Sequence, residues 1–236
     1  MKNALLTILI IFWRTLVLLP RNIQNMFSRL FGYVFLILPL KRNKFSKVNI
    51  DLCFPKLSKE EQNQIYKKNV ISFGDVVFST GIAWFWSDMR IRKNISYEIN
   101  GLEDLINYQK SNTGIILFFK HSLHLELDAR LLAMNVEIFG VERKHNSEKF
   151  QSLQRNGRLK SMKGVADRNS TLSFIRWLKK GKTVMYAPDQ DYGKDKSIRS
   201  TFFNLPASTI SAPLKTVSYT HLRAHETRGN LVCRLL

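Results

Sequence analysis

Cysteine, histidine and acidic side chains are scarce in this chain of 236 residues, and each shortage excludes something. Two cysteines, Cys53 and Cys233, supply neither a disulfide framework nor the paired spacing of a zinc site. Their scarcity fits a reducing compartment. Five histidines, with no cysteine near them, leave little from which to build a metal centre, and none is expected. Long apolar runs are missing too: nothing reaches the roughly 18–20 uninterrupted residues of a clear spanning helix. No small-residue cleavage site follows the first apolar stretch, as a secretory signal would require. There is no internal repeat and no low-complexity segment. Negative charge is the largest shortage. Only 18 Asp+Glu stand against 37 Lys+Arg, a formal net charge of +19. A surplus of that size implies an anionic partner, either nucleic acid or an acidic membrane face.

What is present is enough chain for one substantial domain with its own core. Two apolar stretches lie near the N-terminus, ALLTILIIFW (4–13) followed by LVLLP (16–20), and LFGYVFLILPL (30–40). Arg14 interrupts the first, and Arg21, Arg29, Lys41, Arg42, Lys44 and Lys47 lie between and after them. Apolar segments edged with cations suit a helix inserted in, or lying on, an anionic cytoplasmic leaflet. Residues 1–40 are therefore read as a membrane-anchoring helical segment; buried core helices of a soluble protein are the alternative. At the other end, 217–236 (VSYTHLRAHETRGNLVCRLL) look foreign, because Val217–Thr227 back-translate into a transposase-type sequencing adapter. That tail carries Arg223, Arg228, Arg234 and Glu226, so residues 1–216 hold 19 − 2 = +17. On this reading 41–216 are a truncated domain and the native C-terminus is missing. A parallel sheet without its closing strands would leave an open edge and a poorly folded or inactive chain.

The intervening pattern alternates. Ser58 and Glu61 form a capping box ahead of a long helical stretch to about residue 86. A helix over 101–112 precedes the apolar run GIILFF, a buried strand; a helix over 170–180 precedes TVMYA (183–187), a second strand running into PDQDYG. Helix, strand, loop, repeated, predicts an α/β domain with a mostly parallel central sheet flanked by helices. In such sheets function gathers beyond the carboxyl ends of the strands.

The segment KHSLHLELDAR (120–130) begins at one of those ends. It holds His121, His124, Glu126 and Asp128. His121 and Glu126 make H-x-x-x-x-E, a spacing expected by chance about 5 × 18/236 ≈ 0.4 times in the chain. Position raises its value, since His121 stands at the mouth of the apolar strand. There an imidazole can take a proton from a hydroxyl while a carboxylate holds its other nitrogen. His124 and Asp128 fall along the beginning helix and are read as packed or solvated.

At this point four ordered blocks carry a resemblance: NIDLCFPKLSKEE (49–61), ILFFKHSLHLELDAR (116–130), NGRLKSMKGVADR (156–168) and YAPDQDYG (186–193). Together they resemble the lipid A late acyltransferases of Gram-negative bacteria, within the lysophospholipid-acyltransferase-like superfamily. The resemblance covers about residues 10–213. It implies that His121 is the general base and Glu126 its partner, and that an acyl chain passes from an acyl thioester to a hydroxyl of a lipid A precursor. No acyl-enzyme and no cofactor are needed. It further implies that Arg168, and less directly Arg158, contact substrate phosphate or developing negative charge. Asp189 and Asp191 match an acidic block that shapes the site. The implied partners are acyl carrier protein, a lipid A precursor and the anionic inner membrane, at its cytoplasmic face. Two departures stand out, His124 where a small polar residue is usual and Glu142 where an aromatic is commoner.

Two other functions compete. An acyltransferase of the same superfamily could act on another glycolipid or a lysophospholipid with acyl-CoA as donor. A non-catalytic basic module binding membrane or nucleic acid would also use the charge. Nucleic acid is not expected, because the phenylalanines sit in apolar runs rather than interleaved with the basic residues.

Overall fold

A helical region precedes the sheet. It comprises α1 (Lys2–Leu16), α2 (Arg21–Ile37), α3 (Lys41–Cys53) and α4 (Lys59–Phe85). The structure is a computed structural model and describes residues 2–190, 197–211 and 232–235. The chain divides into two compact units, Met1–Ile82 with Ser200–Ala207, and Ala83–Arg199 with Ser208–Leu236.

In the first unit each helix end is satisfied by an amide from the helix that follows. The Gln24 side chain donates to Val17 O at 2.9 Å and Leu19 O at 2.7 Å, closing carbonyls left over where α1 ends. Asn43 does the same for α2, donating to Phe35 O at 2.7 Å and Leu38 O at 3.1 Å. The capping box forms as the sequence predicts: Ser58 N–H donates to Glu61 at 2.8 Å, and Glu61 N–H donates to Ser58 Oγ at 3.2 Å. Backbones of α2 and α4 approach so closely that a Cβ on Gly32 would overlap the carbonyl of Ile71, and one on Gly74 the carbonyl of Ser28. Beside this crossing Ser28 Oγ donates to Asp75. No single described helix is long and apolar enough to cross a membrane.

The second unit continues with α5 (Asp88–Asn94), β1 (Tyr97–Asn100), α6 (Leu102–Lys110), β2 (Ile115–Phe118), α7 (Leu125–Ala133) and β3 (Phe139–Glu142). Then follow α8 (Glu148–Arg158), β4 (Gly164–Asp167), α9 (Thr171–Lys179) and β5 (Thr183–Tyr186). Four of these strands form one parallel sheet in the order β2-β5-β3-β4. The two strands read from sequence are direct neighbours, Ile115 opposite Thr183 and Phe118 opposite Tyr186. The sequence reading placed no strand at β3 or β4, which are four-residue segments lacking a strong apolar run. Alternate strand residues face two apolar clusters. Met185, Val165 and Ile138 join Leu105 and Leu132 on one face; Val184, Phe139 and Val141 meet Phe174 and Leu178 on the other. Of the remaining strands, β6 (Ser197–Phe202) and β7 (Leu205–Ile210) form a two-stranded sheet. The last, β8 (Val232–Leu235), lies within the segment read as foreign and pairs antiparallel with β1, Leu235 opposite Tyr97.

Candidate active site

All four parallel strands end at one edge of the sheet, so the loops after β2, β3, β4 and β5 converge there. They deliver His121, Arg143, Arg168 and Asp189 respectively. A cavity of about 470 Å³ opens among these loops. His121, Glu126, Arg158 and Arg168 all line it, so four of the six site residues expected from sequence share one cavity. Its deeper wall is apolar, with Ala129, Met162, Val165 and Met185 drawn from the core cluster. Its outer wall carries Arg143, Lys144 and His145.

The carboxylate bonded to His121 in the structure is Asp189, whereas the resemblance implied Glu126. Asp189 accepts the His121 main-chain N–H at 2.6 Å and pairs with Nδ1 of its ring. An Nδ1–H donated to Asp189 leaves Nε2 as the acceptor nitrogen. Burial alone would raise the Asp189 carboxyl, but the bonds from the His121 ring and amide outweigh it and hold it below the usual carboxylate range. Asp191, the second acid of that block, lies outside the described residues.

Glu126 is occupied elsewhere. It falls in the first turn of α7, and there it meets Arg158, whose Nε donates at 3.1 Å and whose terminal nitrogen pairs with its other oxygen. Trp84 Nε1–H donates to the same carboxylate at 2.8 Å. Arg158 also reaches Glu142 at 3.1 Å, and Glu142 is further held by Arg155 at 2.9 Å and Gln151 at 2.8 Å. The Glu142 side chain is 1% exposed, and two guanidiniums meet it there. Burial would lower Arg158, yet Glu126 and Glu142 together raise it and keep it charged. Gly157 makes room for this cluster, since a Cβ there would lie 2.5 Å from Trp84 Cγ.

Arg168 lines the cavity just past β4, and its N–H donates to Glu142 O at 2.7 Å, carrying the strand pairing one step further. His124 takes the N-cap position of α7, and Asp128 accepts Ser122 Oγ at 3.2 Å; neither lines the cavity. Sequence reasoning missed Trp84, Arg155 and Gln151, and noted Glu142 only as an oddity. One signal was available: an acid ending the otherwise apolar FGVE needs a cationic partner, and Arg155 and Arg158 share a helix face. Among the described residues no group of three or more His, Cys, Asp or Glu could hold a metal ion.

Comparison with known proteins adds the following. The family profile described as "Bacterial lipid A biosynthesis acyltransferase" matches residues 1–223. The chain is 36% identical over 196 residues to the "Lipid A biosynthesis acyltransferase" of Haemophilus influenzae, covering 82% of this chain and 62% of that protein. It is 40% identical over 158 residues to the "Lipid A biosynthesis lauroyltransferase" of Escherichia coli, covering 67% and 51%. With the "Lipid A biosynthesis palmitoleoyltransferase" of the same organism it shares 36% over 163 residues, covering 69% and 53%. The matched stretch thus spans between half and two thirds of each relative's length.

Proposed function

The chain belongs to the bacterial lipid A biosynthesis acyltransferases, and from that premise we propose that it transfers a fatty acyl chain to a hydroxyl of a lipid A precursor. The donor in this proposal is the thioester of acyl carrier protein, whose acidic surface would complement the chain's excess of basic residues. The reaction would run at the cytoplasmic face of the inner membrane, held there by residues 1–40.

His121 is the general base. Its Nε2 accepts the proton of the acceptor hydroxyl as that oxygen attacks the thioester carbonyl. The tetrahedral oxyanion collapses, the C–S bond breaks, and the imidazolium returns its proton to the departing thiolate, leaving an ester and a free thiol. Asp189 fixes the tautomer and supports the imidazolium. Arg168, with Arg143 and Lys144 on the same wall, would meet acceptor phosphate or the oxyanion. Glu126 holds Arg158 at the cavity. The single observation behind this reading is His121, pinned twice by Asp189 at the rim of a cavity with an apolar depth and a cationic wall.

A second reading keeps Glu126 as the direct partner of His121, since both line the cavity. The two separate by substitution. His121→Ala should lose about 10²–10⁴-fold in turnover. Asp189→Asn should approach that loss and shift the acidic limb of the pH–rate profile, whereas Glu126→Gln should lower both activity and melting temperature by releasing Arg158. Turnover of acyl carrier protein thioester on a lipid A precursor, with product mass, is the assay. It is run on this chain and on a version continued to the length of its relatives. Acylation by a folded His121→Ala protein would overturn the base assignment; transfer from acyl-CoA to a lysophospholipid alone would overturn the substrates. The reading of 217–236 as foreign predicts that ending the chain at Thr216 leaves the melting temperature unchanged.

A further inference from the structure

Helix α2 is built inside out. Its buried residues are Gln24, Ser28 and Gly32, spaced four apart along one face. Its exposed large apolar residues, Ile23, Met26, Leu30, Tyr33, Val34 and Ile37, recur at three and four along the opposite face. The inner face is fully committed: Gln24 closes the end of α1, Ser28 donates to Asp75, and Gly32 sits in the backbone of α4. Rotation of the helix to bury its apolar stripe would break each of these contacts, so the stripe stays outward.

We propose that α1, α2 and α3 enter one leaflet of an anionic bilayer and lie along it, without crossing. This rests on the membrane reading above and adds the mode of attachment. Three features point to it. First, the lengths fall short: 15 residues of α1 and 17 of α2 span about 22 and 25 Å, against a hydrocarbon core of about 30 Å. Second, Arg29 is exposed halfway along α2, at the edge of the apolar stripe. A crossing helix would put that cation at the bilayer centre; a helix lying flat puts it among lipid phosphates. Third, α2 and α3 together carry the length and apolar composition of a span, but the chain turns by 85° between them, and α3 carries an outward apolar row of its own while burying Ile50. Its Phe45, Val48 and Leu52 are exposed in one row, with exposed Lys41, Arg42 and Lys44 beside them. Apolar stripes bordered by cations on successive helices fit acidic headgroups over acyl chains, which a second copy of this equally basic chain would not supply.

The test uses the whole chain with Cys53→Ser and Cys233→Ser, carrying single cysteines at Asn22→Cys or Arg42→Cys. It is mixed with sealed phosphatidylglycerol–phosphatidylethanolamine vesicles and floated on a density gradient. An impermeant maleimide should label both positions equally before and after the vesicles are opened. Labelling of one position only after opening means that α2 crosses; the one-leaflet inference then falls while the membrane reading stands. Absence of flotation at both low and high salt removes both. In a second arm, Leu30→Glu with Val34→Glu should weaken vesicle binding by at least about tenfold while leaving the melting curve in place. Undiminished binding by that variant would show that the stripe is not the contact face.

Discussion

The two units of the chain differ in how much large apolar surface they leave exposed. In the sheet unit the interior is aliphatic, with Leu131, Ile138 and Val184 essentially excluded from solvent. Polar side chains there mostly face outward, apart from Arg130, Thr183 and the charged cluster around Arg158. In the helical unit Gln24, Ser28, Gln62 and Ser79 are buried beside Val17, Ile50, Val70, Phe78 and Ile82, while Leu5, Ile8, Leu9, Ile23, Leu30 and Ile37 of the first two helices lie exposed. With the proposed membrane contact, one sequence would satisfy two solvents. Burial of aliphatic surface gains free energy only when the alternative is water. Where the alternative is lipid, apolar contacts between helices gain little. Hydrogen bonds and close backbone approach through small residues then decide which face turns inward.

Removing a buried polar group from each unit gives the sharpest test of that contrast. Glu142→Gln should leave Arg155 and Arg158 short of a countercharge and cost roughly 3–5 kcal/mol of stability. Gln24→Leu gives up two neutral hydrogen bonds and should cost about 1–3 kcal/mol. Thermal or urea unfolding measures both, and equal costs would erase the distinction between a charged and a neutral interior.

Paired aliphatic truncations give a second contrast. Leu131→Ala, in the sheet unit, should destabilise by about 2–5 kcal/mol in water. Leu30→Ala, outward on α2, should stay within about 0.5 kcal/mol. A large loss at Leu30 in detergent-free buffer would mean that its stripe is covered by protein.

The smallest expected change is a gain. Burial raises the Asp128 carboxyl above its ordinary value, against the opposing effects of Ser122 and His124. The folded state therefore binds a proton more tightly than the unfolded one, and stability falls as pH rises through that interval. Asp128→Asn should remove the dependence and lift the neutral-pH melting temperature by about 1–3 °C. A lowered melting temperature with unchanged pH dependence would contradict that sign.

Much of the sheet unit was legible in the sequence because its periodicities are short-range. GIILFF and TVMYA announce β2 and β5 by their apolar character; in the helical unit, Ser58 with Glu61 announces the start of α4. His121 was legible because it follows an apolar strand directly. Its carboxylate partner was not. Glu126 stands five residues away and Asp189 sixty-eight, and only the β2–β5 pairing makes the second distance the shorter one in space. The strands β3 and β4 escaped notice since four residues carry little pattern. The inversion of α2 was half visible: its apolar residues pointed to lipid, but nothing local showed that Gln24, Ser28 and Gly32 would find partners on α1 and α4.

The strand order β2-β5-β3-β4 also bears on how the protein is made. Among the described residues β2 pairs only with β5, so residues 115–118 have no sheet partner among them until 183–186 have been synthesised. At roughly 5–20 residues per second, the 68 residues separating His121 from Asp189 take about 3–14 s to emerge. During that interval the strand bearing the histidine remains an unpaired apolar segment, exposed to chaperones and to misassociation. Pairing with the late strand ends that exposure and brings His121 and Asp189 together in a single step.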